Sequence, residues 1–445
     1  MKEGRTEDRL SAVPAAPAKR GREVAARWSW TEPSVWTERM LDALEQGVKG
    51  GRWYSVIDKV YAEETLWAGW RQVKRNGSSA GVDGQTVGQF ERNAGKRIQR
   101  LHEQLRAGTY EPQPVRRVLI PKEGSREYRP LGIPTISDRI VQTALRYAIE
   151  PIFEKKFSGC SYGFRPKRST KDALRQVQTH LDGGYTWVVD VDIQRYFDTI
   201  PHDRLIREVE TEISDRRVLK LIEAYLKQGV MDGTKSYAAL EEGTPQGGVI
   251  SPLLANIYLH PVDEVMEAEG YALVRYADDC VVMCRTQTEA ERALARIREL
   301  MESRDLTLHP EKTKLVDATA PGGFDFLGYH FEQGKRYPRK KSLRRLKDTV
   351  RERTRRYNGH SLERIVETIN PVLRGWFAYF KHANSYTFKL IDGWVRRRLR
   401  TILRTRQHRR GLARGANHQR WPNAYFRQMG LFTMVEAHRM LIQSR

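Results

Sequence analysis

The sequence predicts an α+β fold followed by an all-helical basic segment, and three observations carry that expectation. Across residues 114–335, short runs of β-forming residues alternate with helical periodicity, the pattern of a sheet backed by helices. Beyond Tyr337 the strand signals stop, and Lys and Arg dominate. Ahead of the mixed region, residues 46–113 carry helical spacing without strands. With 445 residues and 39% hydrophobic content, the chain has material for two or three packed domains.

Taken in order, residues 1–45 are rich in Ala, Pro and charge, and are expected to form a flexible N-terminal segment. In residues 46–113, Val56, Ile57, Val60 and Tyr61 repeat at helical spacing, and NGSSAGVDG (76–84) interrupts the pattern. Within the mixed region, Ile140, Val141, Ala144, Leu145, Ala148, Ile149 and Ile152 form one apolar helix face. TWVVDVDIQRYFDTI (186–200) alternates as a strand and ends in a turn-prone stretch. YALVRYADDCVVMC (271–284) reads as a hairpin with Asp278 and Asp279 at its turn. Thr286 and Glu289 fit a capping box for the helix bearing Leu294, Ile297 and Leu300. Residues 336–445 read as basic helices, in which Trp376, Phe377 and Phe380 share a spacing that suits burial. NHQRW (417–421) reads as loop.

Charge narrows the function classes. A net charge of +23 and a pI near 9.9 oppose compaction unless a polyanion neutralises them, so nucleic acid is the expected partner. Between residues 336 and 414 two dozen Lys and Arg meet only five acids, and Arg396, Arg397 and Arg398 stand side by side, as do Arg409 and Arg410. Like charges so placed repel without a counter-charge, which makes the arginine run a candidate RNA contact. No apolar run approaches the length of a membrane span, and the first residues do not resemble a secretory signal. Three cysteines are too few for a disulfide framework or a four-cysteine zinc site, and a reducing cytoplasm fits them.

The acidic segments carry the chemistry. Alternation along residues 186–192 puts Asp190 and Asp192 on one strand face, while Asp278 and Asp279 sit together at a hairpin tip. Adjacent carboxylates beside apolar strands are costly unless a cation neutralises them. Carboxylates from separate elements are what two-metal phosphoryl transfer needs, with Mg²⁺ filling its remaining positions with phosphate and water. Taken alone, the hairpin acids also suit ordinary turn chemistry.

The order of the segments resembles the blocks of reverse transcriptases, specifically those of group II intron maturases. The matching runs are RPLGIPTISDRIVQTAL (129–145), SYGFRPKRSTKDAL (161–174), VDIQRYFDTIPH (191–202), GTPQGGVISPLLANIYL (243–259), RYADD (275–279), LHPEKTK (308–314) and FDFLGY (324–329). INPVLRGWFAYF (369–380) resembles the maturase domain of that family, and residues 46–113 resemble its N-terminal extension. The resemblance implies a right-hand polymerase. Its fingers and palm, the palm a ferredoxin-like split βαβ, would occupy residues 114–335, with an all-α thumb and maturase domain over 336–445.

By the same resemblance, Asp192, Asp278 and Asp279 match the catalytic metal-binding aspartates, with the Ile193 carbonyl as an added ligand, for two Mg²⁺ ions. Phe197 matches the aromatic that blocks a ribose 2′-hydroxyl, and Gln246 matches a residue lining the nucleotide pocket. Lys122 and Arg129 match the pair that grips the triphosphate, with Arg126 a rival because the spacing is one residue longer than usual in the family. Asp190 and Asp198 read as structural, the latter capping a turn, and His202 and His309 as turn hydrogen-bonders. The implied activity is RNA-directed DNA polymerisation with maturase activity, supporting group II intron splicing and retrohoming. The implied partners are intron RNA, an RNA template with DNA primer, a DNA target and deoxynucleoside triphosphates, with no membrane; monomer and dimer both fit. A bacterial, cytoplasmic, nucleic-acid-associated protein is expected, without the cysteine-rich endonuclease of many relatives. Two other readings are a domesticated relative in defence or repair, and a maturase that only assists splicing.

Overall fold

A computed structural model describes residues 23–24, 26–48, 50–77, 79–121, 128–232, 235–237, 242–357, 359–408 and 415–443. In chain order the strands are β1 (Val115–Pro121), β2 (Tyr128–Ile133), β3 (Trp187–Asp192), β4 (Val230–Asp232), β5 (Lys235–Tyr237), β6 (Ala272–Tyr276), β7 (Asp279–Cys284), β8 (Lys314–Asp317), β9 (Phe324–Phe326), β10 (Tyr329–Glu332) and β11 (Lys335–Pro338). The chain forms two compact units, one of Met1–Ala173, Ile193–Asp278 and Arg296–His309, the other of Leu174–Asp192, Asp279–Ala295 and Pro310–Arg445.

In the first unit the helices Glu63–Asn76 and Ala94–Ala107 stand on either side of the predicted Gly-rich break. The helix Ile136–Glu154 buries the whole predicted apolar face, and Thr135 caps it by accepting from the Asp138 amide at 3.1 Å. A four-stranded sheet runs in the order β2-β1-β4-β5, with β1 and β2 antiparallel from Arg116 opposite Ile133 to Pro121 opposite Tyr128. Residues 1–22 and 25 lie outside the described residues; the rest of the segment expected to be flexible through residue 45 carries buried apolar side chains. Trp28, Val35, Trp36, Leu41 and Leu44 are buried, and the Trp36 indole donates to the Tyr147 carbonyl at 2.8 Å. Burial of these five apolar side chains favours order in a segment whose composition otherwise favours disorder.

In the second unit β3 lies between β7 and β8, antiparallel to both. Strands β9, β10 and β11 form a separate antiparallel sheet. Because β11 runs to Pro338, the strand region extends slightly past the expected boundary at 335. Thereafter the described residues are helical, in Lys340–Arg353, Leu362–Phe380, Ser385–Arg406 and shorter helices, around Leu346, Ile369, Leu373, Phe388 and Leu399. Phe377 and Phe380 are buried as expected, whereas Trp376 is half-buried and lies against Phe380. The capping box at 286–289 is half formed: Thr286 accepts from the Glu289 amide, but the Glu289 carboxylate takes the Arg285 amide. NHQR, expected as loop, forms the single helical turn Asn417–Arg420. Among the described residues no helix is long and apolar enough to cross a membrane.

Candidate active site

Strand β3 alternates, burying Val189 and Val191 and leaving Asp190 and Asp192 partly exposed on the other face. The antiparallel register sets Asp192 directly opposite Asp279, the first residue of β7. Asp278 precedes it, at the end of a turn in which Ala277 has φ +59°. Ile193 follows Asp192, is buried, and makes an isolated bridge to Leu308. The Lys312 ammonium lies 3.2 Å from the Asp192 carboxylate, and the Thr313 hydroxyl touches the Asp192 backbone amide at 3.4 Å.

The electrostatics of this face are those of a carboxylate excess. Burial, and then the charges of Asp279, Asp325 and Asp192, push the Asp190 carboxyl up to about 7. Asp190 shares the partly exposed face of β3 with Asp192. Asp325 is itself held by the His330 ring and the Arg339 guanidinium, each at 2.8 Å. Among the described residues no group of three or more His, Cys, Asp and Glu side chains is gathered as a preformed metal cage. The donors are nonetheless hard oxygens facing one another across a strand pair, a set that suits Mg²⁺ and not a thiophilic metal.

The first unit holds a cavity of about 330 Å³ whose lining includes Arg117, Gly132, Phe197, Asp198, Thr244 and Gln246. Phe197 sits half-buried on the single 3-10 turn Tyr196–Asp198, held by its carbonyl accepting from the Thr244 amide at 2.7 Å. A chain of hydrogen bonds fixes the Gln246 amide. Arg129 Nε donates to Gln246 Oε1 at 2.7 Å, and Gln246 Nε2 donates to Asp198 Oδ1 at 2.8 Å. Asp198, expected to cap a turn, also lines the cavity. Gly247 follows at φ +111°, and a Cβ there would fall 2.2 Å from the Gly132 carbonyl oxygen, so only glycine allows this approach. Lys122 and its rival Arg126 lie outside the described residues. His202 is buried and its ring meets the Gly243 carbonyl at 2.7 Å, the hydrogen-bonding role expected of it.

The arginine run divides into three environments along the helix Ser385–Arg406. Arg397 is exposed. Arg396, half-buried, lies near enough to Asp392 to lower the pKa that burial raises there. Arg398 donates to the Thr354 hydroxyl at 2.7 Å and carbonyl at 2.9 Å, with its guanidinium over Trp394. Arg409 and Arg410 lie outside the described residues. Tyr357 is fully open to solvent and Tyr386 is exposed, so the interleaved aromatics are not all core.

The sequence alone does not point to the contacts made by the side chains of Lys312 and Arg275, nor to the place of Asp198 in the cavity. Lys312 is 120 residues from Asp192, and Gln246 is 48 from Asp198, so no local periodicity signals either contact. Arg275 Nε donates to Asp263 Oδ1 at 2.7 Å in a wholly buried pair. Burial disfavours its cation, but Asp263 more than compensates and holds its pKa above the usual arginine range.

Two family models match the chain. One, described as reverse transcriptase (RNA-dependent DNA polymerase), covers residues 120–331. The other, described as group II intron, maturase-specific domain, covers residues 343–421. Protein YkfC of Escherichia coli (strain K12) is 34% identical over 343 residues, spanning 68% of this chain and 85% of that one. The group II intron-encoded protein LtrA of Lactococcus lactis subsp. cremoris is 44% identical over 169 residues, 38% of this chain and only 28% of LtrA. Among solved structures, a chain of the partial Cas6-RT-Cas1--Cas2 complex aligns over 56% of this chain and 41% of its own, at 25% identity and a TM-score of 0.37.

Proposed function

We propose, from the premise that the chain belongs to the group II intron-encoded reverse transcriptases and maturases, that it copies RNA into DNA and assists splicing of an intron RNA. RNA-directed DNA polymerisation and maturase function are the activities of that family, and the mixed α+β fold is its right-hand polymerase fold. The family uses divalent metal; two Mg²⁺ ions held by Asp192, Asp278, Asp279 and the Ile193 carbonyl are our assignment here. The observation that supports it best is the register that sets Asp192 directly opposite Asp279, since like charges opposed across a ladder disfavour the strand pair and a divalent cation between them would relieve that cost.

Bound metal would supply the charge that activates the primer 3′-hydroxyl and stabilises the departing pyrophosphate. The chain's own residues do the rest. Phe197 fills the space beside the sugar and excludes a 2′-hydroxyl. Gln246, oriented by Arg129 and Asp198, lines the nucleotide cavity with a fixed donor and acceptor. Arg129, with Lys122, would take the triphosphate. In the basic helices, Arg396 and Arg397 are offered to RNA phosphates, and Arg398 contributes charge from a side chain that also ties the fold.

The partners we assign are intron RNA, an RNA template with a DNA primer, deoxynucleoside triphosphates and a DNA target, met in a bacterial cytoplasm. Primer extension on an RNA template with Mg²⁺ tests the reading. Wild-type protein should make cDNA and an Asp279→Ala variant none; cDNA from both, or from neither, would refute it.

A further inference from the structure

The turn that carries Asp278 is anchored by a buried polar network. The helix Ser251–Ala268 presents Asn256 and Asp263 two turns apart, hence on one face. Arg275 lies between them with 1% of its surface exposed. Its Nε and one terminal nitrogen engage both oxygens of Asp263. Its Nη1 donates to Asn256 Oδ1 and to the Ala277 carbonyl, each at 2.9 Å. The Asn256 amide in turn donates to the Gly163 carbonyl at 2.8 Å. The backbone of Arg275 is pinned as well, its amide donating to Cys160 and its carbonyl accepting from Tyr162.

A packing role does not explain this arrangement. Burying an ion pair is costly, and apolar residues of similar volume would join helix to strand equally well. What an apolar side chain cannot do is donate to the Ala277 carbonyl. That carbonyl belongs to the peptide unit that leads into Asp278, and Ala277 has a left-handed φ of +59°, where a residue with a Cβ is strained. Gly163 crowds the turn from outside: a Cβ on it would fall 2.2 Å from the Ala277 amide nitrogen. The turn is thus gripped on one side by a hydrogen bond and on the other by backbone contact.

We propose that Arg275 is a positioning residue for Asp278: by holding the Ala277 carbonyl it presets the turn, so that the Asp278 carboxylate is aimed before a divalent cation arrives. The inference rests on the reading of Asp278 as a metal ligand. Arg275→Lys keeps the charge toward Asp263 but loses the planar fork that reaches four acceptor atoms on three residues. Arg275→Met combined with Asp263→Leu removes both charges and leaves helix packing to apolar contact.

The test uses full-length protein on an RNA template with annealed DNA primer. Mn²⁺ binding is followed by electron paramagnetic resonance, alongside the Mg²⁺ dependence of single-nucleotide addition and thermal melting. Both variants should bind Mn²⁺ about tenfold more weakly, and need correspondingly more Mg²⁺, as lost outer-shell support does elsewhere. KM for the nucleotide should stay near wild type. A cooperatively folded variant with wild-type Mn²⁺ affinity and Mg²⁺ dependence overturns the proposal. If neither variant melts cooperatively, Asn256→Ala, which keeps the ion pair but removes one of the two acceptors that fix Nη1 against the turn, carries the test, and unchanged Mn²⁺ affinity refutes positioning. Wild-type protein that binds Mn²⁺ through Asp278 yet makes no cDNA would refute the polymerase reading and leave the positioning role intact.

Discussion

Asp192 and Asp279 stand directly opposite each other across the β3–β7 ladder, a pairing of like charges that strand packing by itself disfavours. Removing either hairpin carboxylate should therefore cost chemistry and not binding. Asp278→Ala and Asp279→Ala are each expected to abolish Mg²⁺-dependent cDNA synthesis, with RNA affinity within a few-fold of wild type. Primer extension and filter binding on the same preparations measure both; near-normal synthesis by either variant would sink the assignment.

Lys312 competes for the same carboxylate. Its ammonium is 3.2 Å from Asp192, with 60% and 40% of the two side chains exposed, so the contact is screened and modest. Lys312→Met should leave the face more negative and lower the Mn²⁺ concentration at half-saturation by about two- to fivefold. Weaker Mn²⁺ binding would mean that Lys312 supports the site instead of competing for it.

At the cavity, Phe197→Ala opens space beside the sugar. Ribonucleotide incorporation relative to deoxynucleotide should rise ~10–100-fold, the worth of one well-packed apolar contact. Extension assays with mixed nucleotides give that ratio, and an unchanged ratio in an active variant would return Phe197 to the core.

The arginine run should separate by environment. Arg397→Ala, at the exposed position, is expected to weaken RNA binding and flatten its salt dependence by about 0.7–0.9 log units per log salt. Melting should be unchanged. Arg398→Ala removes two hydrogen bonds to Thr354 and should destabilise by about 1–3 kcal/mol. Equal melting temperatures for the two variants would contradict the division.

The pH dependence of stability offers a check away from the active site. Glu150 is pushed up to about 7 by burial, against the opposing charge of Arg146 at 3.6 Å. A carboxyl raised in the folded state binds its proton more tightly there than when unfolded. Its contribution to stability is full below the unfolded pKa and is lost as pH rises through the folded one. Glu150→Gln should therefore raise the melting temperature at about pH 8 and change it little at about pH 4. A variant less stable at the higher pH would show that the Arg146 pair outweighs burial.

What the sequence determined by itself was whatever depends on short spacing. Period-two alternation placed Asp190 and Asp192 on one face of β3, period 3.6 drew the buried face of the helix Ile136–Glu154, and two adjacent aspartates marked the β6–β7 turn. Ordered motifs then identified the family. The tertiary structure decided what depends on residues far apart in the chain. Antiparallel register set Asp279 against Asp192, folding brought Gln246 to Asp198 and Lys312 to Asp192, and a helix face carried Asp263 to Arg275. It also separated Arg396, Arg397 and Arg398, identical in the sequence, because a helix turns each side chain by about 100° from the last. One therefore reaches solvent while its neighbour is bound to Thr354. Trp36 marks the same limit: composition suggested disorder, and its indole bonds to the Tyr147 carbonyl, 111 residues away.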